Sequence, residues 1–330
     1  MLPSPRLMIA PMMGWTTASY RHFIRLLSKH VQLYTEMCSV NALIYNVAQR
    51  HYLLKCHAGE QPLGLQLGGS DPKLLVLAAQ YAQDYGHTQI NLNIGCPSTR
   101  VQHACFGAVL FKQPEHVANC VSALRAAVSL PITIKTRIAV DDHDSYSHLV
   151  HFIRTVNEAG CQVFIIHARK AWLHGLNPKK NRTIPPLRYD WVYQIKRDFP
   201  DLQIVLNGGI DTVEQIQTHL QQVDAVMIGR AAWHHPYLIA LAEHRLHGTV
   251  LPDRLEILNR YIPYLQEQHA QGKTLNYLLA PLFGLFHKKS GARQWRHHLG
   301  VMLQKTPHLL FSNNVAEQLV SIAQDHLTVP

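Results

Sequence analysis

Acidic residues are scarce in this chain. Its 330 residues hold 21 Asp and Glu against 31 Lys and Arg, a formal charge of +10. A cationic excess of that size argues against a basic partner and points toward polyanions. No C-x-x-C pair occurs among the six cysteines, Cys38, Cys56, Cys96, Cys105, Cys120 and Cys161. In a chain this long that argues for reduced thiols rather than a disulfide frame, and most of the six are expected to be buried fillers. No apolar run approaches the roughly 18 residues that span a bilayer. The opening "MLPSPRLMIAPMMGW" lacks a signal-peptide layout, so a soluble protein in the cytoplasm is expected. Low-complexity tracts and a G-x-G-x-x-G turn after the first apolar run are missing as well. With 47% hydrophobic and 16% charged residues, the composition is that of a globular protein with a real core.

The cationic excess is concentrated. Arg169, Lys170, Lys179, Lys180, Arg182 and Arg188 lie between 167 and 188 with no acid among them. Lys288, Lys289, Arg293 and Arg296 lie between 287 and 298, again with none. Those ten residues equal the whole formal excess, so two discrete faces are expected to meet nucleic acid. Neither segment has the large apolar face of a membrane-surface helix.

Short aliphatic or β-branched runs recur at 7–10, 32–35, 63–67, 89–93, 132–136, 163–167, 203–207 and 225–228. Amphipathic stretches lie between most of them, for example 71–85, 114–128, 146–159, 189–198 and 212–220. Asp71-Pro72 reads as an N-cap followed by a favourable first-turn residue. Eight strand-then-helix units predict an α/β (β/α)8 TIM barrel over 1–242. After about residue 243 the strand-like runs stop. Segments 254–271, 274–289, 292–304 and 313–327 read as helices, predicting a small all-helical bundle domain over 243–330.

In such a barrel the chemistry gathers where strands end. The exits read Pro11-Met12, Glu36, Gln66, Asn93, Lys135, His167, Asn207 and Gly229-Arg230. "VLNGGID" places Gly208 and Gly209 after strand seven, and "VMIGRAA" places Gly229 and Arg230 after strand eight. Loops there commonly form the barrel's phosphate site, because glycines let backbone N–H groups approach an anion and an arginine adds a bidentate contact. Lys135, on a strand, needs an anionic partner or a path to solvent. A phosphate beside an electron-rich ring meets both demands, and FMN fits, with Gln66 and Asn93 at the ring's polar rim. Cys96 follows strand four in "INLNIGCPSTR", between Gly95 and Pro97.

Read together, "IAPMMGWT", "LQLGGSDP", "NLNIGCPSTRVQ", "IKTRI", "FIIHARKAWLHGLNPKKNRTIPPL", "NGGI" and "MIGRAA" resemble the tRNA-dihydrouridine synthases. The likeness runs in order from about residue 6 to 300. "HARKAWL" and "GARQWRHHL" are similar to the A-type bacterial branch. The resemblance implies a flavin barrel followed by a helical tRNA-binding domain, and NADPH-driven reduction of uridine at positions 20 and 20a of the tRNA D-loop. It implies FMN on Pro11, Met12, Met13, Gln66, Lys135, His167, Asn207, Gly208, Gly209, Gly229 and Arg230. It implies tRNA on Asn93, Lys179, Arg182, Arg293 and Arg296, with Cys96 as catalytic acid. A monomer without metal or stable protein partner is expected. After "GCPS", the family commonly continues N-G-x-F-G-A-C-L; here the chain reads "HACFGAVL", with Ala104 where glycine is usual.

Saturating the uracil C5=C6 bond needs a hydride and a proton. An ordinary thiol titrates near ~8.5 and still holds its proton at neutral pH, where a carboxylate does not. Two rival readings share parts of this pattern. An FMN barrel acting on a free pyrimidine leaves the basic helical domain without a role. A non-catalytic RNA-binding barrel leaves Lys135, His167, Asn207, Arg230 and Cys96 without one.

Overall fold

The structure, a computed structural model, describes residues 5–305, 317 and 319–324. Eight parallel strands run in sequence order around a barrel: β1 (Leu7–Ile9), β2 (Leu33–Tyr34), β3 (Leu63–Gly68), β4 (Gln89–Ile94), β5 (Ile132–Arg137), β6 (Val163–His167), β7 (Gln203–Asn207) and β8 (Ala225–Ile228). Pairing continues from β8 onto β1, Leu7 opposite Val226. The barrel closes where Met8 bridges Gln32 and Ile9 N–H donates to Gln32 O at 2.9 Å. All eight predicted strands are present. Two further residues, Cys38–Ser39, pair in parallel with the end of β3.

The strands read as continuous aliphatic runs because a parallel sheet under helices is covered on both faces. Met8, Ala10, Tyr34, Ile165, Val205, Ala225 and Met227 pack together as one buried cluster. Outside, the helix Pro72–Asp84 begins as its sequence predicts. Asp71 accepts from Lys73 N at 2.8 Å and Leu74 N at 3.3 Å, and Pro72 fills the first turn. Its buried face, Leu75, Ala78, Ala79 and Ala82, follows helical spacing. The helix Pro114–Ala127 buries Val117, Cys120, Val121 and Leu124 in the same way.

The chain divides into two compact units. The first is Met1–Gly14, Val31–Ile210 and Glu214–Gly229; the second is Trp15–His30, Asp211–Val213 and Arg230–Pro330. The second unit contains the helices Ala18–Leu27, Tyr237–His247, Arg254–Ala270 and Ala292–Lys305. Buried Tyr261 donates to Leu278 O at 2.9 Å and shares a 2.6 Å hydrogen bond with Ser19 Oγ. Trp295 is buried and its indole N–H donates to Leu282 O at 2.8 Å. The expected helix over 274–289 is broken. Leu275–Leu279 is helical, Ala280–Gly284 tightens to a 3-10 turn, and the regular ladder ends there. Pro281 lacks the N–H a longer helix would need. Of segment 313–327, residues 317 and 319–324 are described and are helical; the rest lie outside the described residues.

Three cysteines, Cys38, Cys120 and Cys161, are buried fillers, and burial pushes the Cys120 thiol up to about 11 and the Cys161 thiol to about 12. Cys56 and Cys96 are half-buried and Cys105 is exposed, so the filler expectation holds for only half of the six.

Candidate active site

The loop after β4 holds Cys96 by its backbone. Asn93 Oδ1 accepts from the N–H groups of Gly95 and Cys96, both at 3.0 Å. Asn93 Nδ2 donates to Gln66 Oε1 at 3.2 Å and to Met37 Sδ at 3.0 Å, which fixes the amide that makes this turn. Cys96 O accepts from Ala108 N at 2.9 Å. Gly107 makes that approach possible: its φ is 78°, and a Cβ there would lie 2.6 Å from Cys96 O. The half-buried Cys96 Sγ lies 3.6 Å from Ser98 Oγ, and Ser98 caps the short helix Thr99–His103. A thiol anchored on both sides of its own peptide has a fixed place from which to donate.

Below it, polar side chains line one layer. Gln66 Nε2 donates to Asn91 Oδ1 at 2.8 Å, and Asn91 Nδ2 to Thr133 Oγ1 at 2.9 Å. Strand register places Asn93 opposite Lys135, Arg137 opposite His167, and His167 opposite Asn207. Lys135 Nζ donates to Asn207 Oδ1 at 2.9 Å, and Asn207 Nδ2 to Met227 O at 2.8 Å. Burial, reinforced by Arg137 and Arg182, brings the Lys135 ammonium down to about 7. Burial, reinforced by Arg182 and Arg169, brings Arg137 to about 10. The His167 imidazole is held well below its ordinary value by burial, then by Arg137, Lys135, Arg169 and Arg182. Among the described residues no carboxylate contributes to these shifts, and Cys96 opposes them at Lys135 and Arg137, so the cluster is short of negative charge.

The donor set fits an anionic, ring-bearing cofactor such as FMN. His167 Nδ1 is buried with no hydrogen-bond partner among the described residues. Gly208 and Gly209 take φ values of 118° and 73°, and a Cβ on Gly209 would lie 2.6 Å from Leu187 Cδ1 and 2.8 Å from the Tyr189 hydroxyl. Tyr189 holds that turn by donating to Gly208 O at 2.7 Å. Above Gly229 a Cβ would meet only Ala10 Cβ, at 3.8 Å. Pro11 and Met12 are half-buried and Met13 is exposed. The turn they form is pinned by Gly14 N, which donates to Glu36 Oε1 at 2.6 Å. Arg230 is exposed and opens the helix Arg230–His234 in the second unit.

The structure brings together Gln66, Asn93, Cys96, Lys135, His167 and Asn207. Lys179 and Arg182 lie on the exposed part of the loop after β6. In that loop, acids from outside the segment neutralise part of the sequence cluster: Lys170 pairs with Asp144 at 2.8 Å and Arg188 with Asp190 at 3.5 Å. Lys179 and Lys180 form no ion pair among the described residues. In the second unit Lys288, Lys289, Arg293 and Arg296 are all exposed, and none is ion-paired among the described residues. Arg293 and Arg296 stand three apart on the helix Ala292–Lys305, on one outward face beside inward Trp295.

Two organising residues escape the sequence reading. Buried Arg137 donates from Nε to Gly95 O at 3.3 Å and from Nη1 to Lys170 O at 3.3 Å and Asn181 O at 3.0 Å. It ties the Cys96 turn to the basic loop. Buried Asn181 accepts from Trp172 N at 2.8 Å and donates to Trp172 O and Leu176 O at 2.9 Å each. The signal for Arg137 was its place two residues past Lys135, on the same face of one strand. Arg137→Met would remove hydrogen bonds from the half-buried Gly95 and Lys170 carbonyls and from the buried Asn181 carbonyl, at ~1 kcal/mol each. A loss of about 3 kcal/mol in urea unfolding is expected, and a loss under ~1 kcal/mol would contradict this role.

Residues 8–322 match the family model described as dihydrouridine synthase. This chain belongs to the dihydrouridine synthase family. The tRNA-dihydrouridine(20/20a) synthase of Synechocystis sp. is 52% identical over 295 residues, covering 89% of this chain and 88% of that protein. The enzyme of the same name from Pasteurella multocida is 49% identical, covering 89% and 90%. Among solved structures, morphinone reductase aligns with a TM-score of 0.51 at 13% identity, covering 76% of this chain and 87% of its own. A 2-naphthoyl-CoA reductase complex aligns at 0.55 and 9%, covering 74% and 50%. Both share the barrel fold.

Within this dihydrouridine synthase, the two departures from the family pattern, Ala104 and Cys105, differ in backbone conformation. Ala104 sits at φ −87°, which any residue adopts. Cys105 carries the left-handed turn instead, at φ 55°, where Cys105 N donates to Gln102 O and Phe106 N to Val101 O to end the short helix. A non-glycine residue there is strained by ~1 kcal/mol, and the backbone path that returns to Gly107 is kept.

Proposed function

We propose that this protein reduces the C5=C6 bond of uridine to 5,6-dihydrouridine in the tRNA D-loop, at positions 20 and 20a, with FMN as cofactor and NADPH as reductant. Relatives of about half identity carrying that name support the reaction and its sites. The observation that carries the mechanism is the Cys96 thiol, fixed by Asn93 and Gly107 within electrostatic reach of Lys135 and Arg137.

When bound and reduced, FMN supplies the hydride equivalent. The protein's part is to hold groups and to move one proton. Gly208, Gly209, Gly229 and Arg230 take the phosphate. Lys135 and His167 offer positive charge and an open donor to the electron-rich ring, and Pro11, Met12, Met13, Gln66 and Asn207 shape its bed. Asn93 orients the base. Cys96 holds a proton on Sγ and delivers it to the C5 carbon, the position that gains electron density when the conjugated C6 is attacked. The barrel domain, 1–242, carries this chemistry and the helical domain, 243–330, grips tRNA. The target base must leave its stack, at a cost of a few kcal/mol, and phosphate contacts from Lys179, Arg182, Arg293 and Arg296 offset it. The protein acts as a monomer in the cytoplasm.

Lys135 gives the site a pH signature. Its ordinary value is 10.5 and its value here is about 7. The unfolded chain therefore binds a proton between pH 7 and 10.5 that the folded chain refuses. Stability rises with pH across that window, and the full cost of the buried charge is present below pH 7. An anion at the site reverses the preference and draws a proton in as it binds. FMN affinity is expected to fall by up to ~tenfold per pH unit above 7, with the slope abolished in Lys135→Met. Fluorescence titration between pH 7 and 9 reads this directly, and a flat wild-type profile would contradict it.

A further inference from the structure

In the second unit, three potential metal ligands converge. Glu243 and His247 stand four apart on the helix Tyr237–His247 and so share one face. The turn Ser28–His30, at the end of the helix Ala18–Leu27, lies against them. Glu243 is buried, and its Oε2 accepts from Ser28 Oγ at 2.6 Å. Its Oε1 accepts from Lys29 N at 3.3 Å and lies 2.5 Å from His30 Nδ1. The His30 and His247 rings stack with centroids 4.3 Å apart. One ligand atom from each of His30, Glu243 and His247 lies within 4.8 Å of the others.

We propose that these three side chains form a zinc-type divalent metal site. Two imidazoles and one carboxylate are the donor set zinc takes at three-ligand sites, with water in the fourth position. Calcium and magnesium would ask for more oxygens than the cluster holds. Ligand atoms ~2.1 Å from a tetrahedral ion lie ~3.4 Å apart, and these three atoms all lie within 4.8 Å of one another. Both histidines are exposed, so ring rotation brings them to that spacing while the backbone stays in place. Ser28 serves the role of an outer partner: it binds Oε2, the carboxylate oxygen other than the one at His30, and fixes the orientation of the carboxylate. The buried carboxylate is already the most costly group of the set to desolvate, and a bound cation offsets that cost. Such an ion would staple the turn after one helix to the last turn of another, 213 residues on.

The test uses the full chain, stripped with a chelator, incubated with zinc chloride and passed through gel filtration, with metal counted by mass spectrometry. Wild type is expected to retain one zinc per chain, and the His30→Ala/His247→Ala double variant none. Ser28→Ala should bind ~10-fold more weakly in competition with a chromophoric chelator. Paired surface histidines elsewhere, such as His143 and His148, remain in every variant and report non-specific uptake. Should the double variant misfold by circular dichroism, cobalt titration of wild type decides, since a tetrahedral nitrogen and oxygen site gives visible absorption. Failure of wild type to retain zinc, equal zinc affinity in the folded double variant, or a cobalt titration without tetrahedral absorption would overturn the site and leave His30–Glu243 as an ion pair.

Discussion

Cys96→Ala is expected to lower dihydrouridine formation by about 10²–10⁴-fold, the range over which a positioned general acid acts. The same variant should bind FMN and accept electrons from NADPH like wild type, because no ring or phosphate contact proposed here passes through the thiol. The contrast is the informative part. A destabilised loop would lower cofactor occupancy together with turnover, whereas a missing proton leaves occupancy intact. Cys96 sits on a turn held by main-chain contacts to Asn93 and Ala108, so removing the sulfur leaves those contacts in place. Single-turnover measurement with pre-reduced enzyme separates the two half-reactions. Near wild-type product formation by Cys96→Ala would show that another group supplies the proton.

Replacing Lys288, Lys289, Arg293 and Arg296 together by Ala should flatten the salt dependence of tRNA binding. Each phosphate contact contributes ~0.7–0.9 to the slope of log affinity against log salt, so four lost contacts remove about 3. Affinity at moderate salt should fall ~100-fold or more, with little change in turnover once tRNA is saturating. These four side chains are exposed without ion pairs among the described residues, and the helix that carries the two arginines is anchored by buried Trp295. The unit should therefore stay folded, and thermal unfolding of the variant checks this. An unchanged slope and affinity would remove this face from the tRNA-binding surface.

Much of the site was legible because barrel strands expose their character in one dimension. A parallel strand covered on both faces is an aliphatic run, and a polar residue at its end stands out against it. Lys135, His167 and Asn207 were visible for that reason; register sets His167 beside Asn207, and a hydrogen bond joins Lys135 to Asn207. Arg137 was hidden because a second cation after a strand looks like a solvated residue; only the two-residue period marks it as inward. Asn181, in "NPKKNR", looks like an ordinary loop residue although its amide organises the whole turn. Pairing between Lys170 and Asp144 was invisible for another reason. The acid lies 26 residues upstream, so counting charge within a window overstates the free positive charge of the 167–188 loop. The break at Pro281 and the left-handed Cys105 are backbone events, and each was marked only by the residue that breaks the local pattern.

The most direct measurement is mass spectrometry of a uridine-containing tRNA transcript after incubation with the purified protein, FMN and NADPH. Two added hydrogens at positions 20 and 20a are expected, with no reduction of free uridine or orotate under the same conditions. An unmodified transcript, or reduction of the free pyrimidine instead, would contradict the assignment.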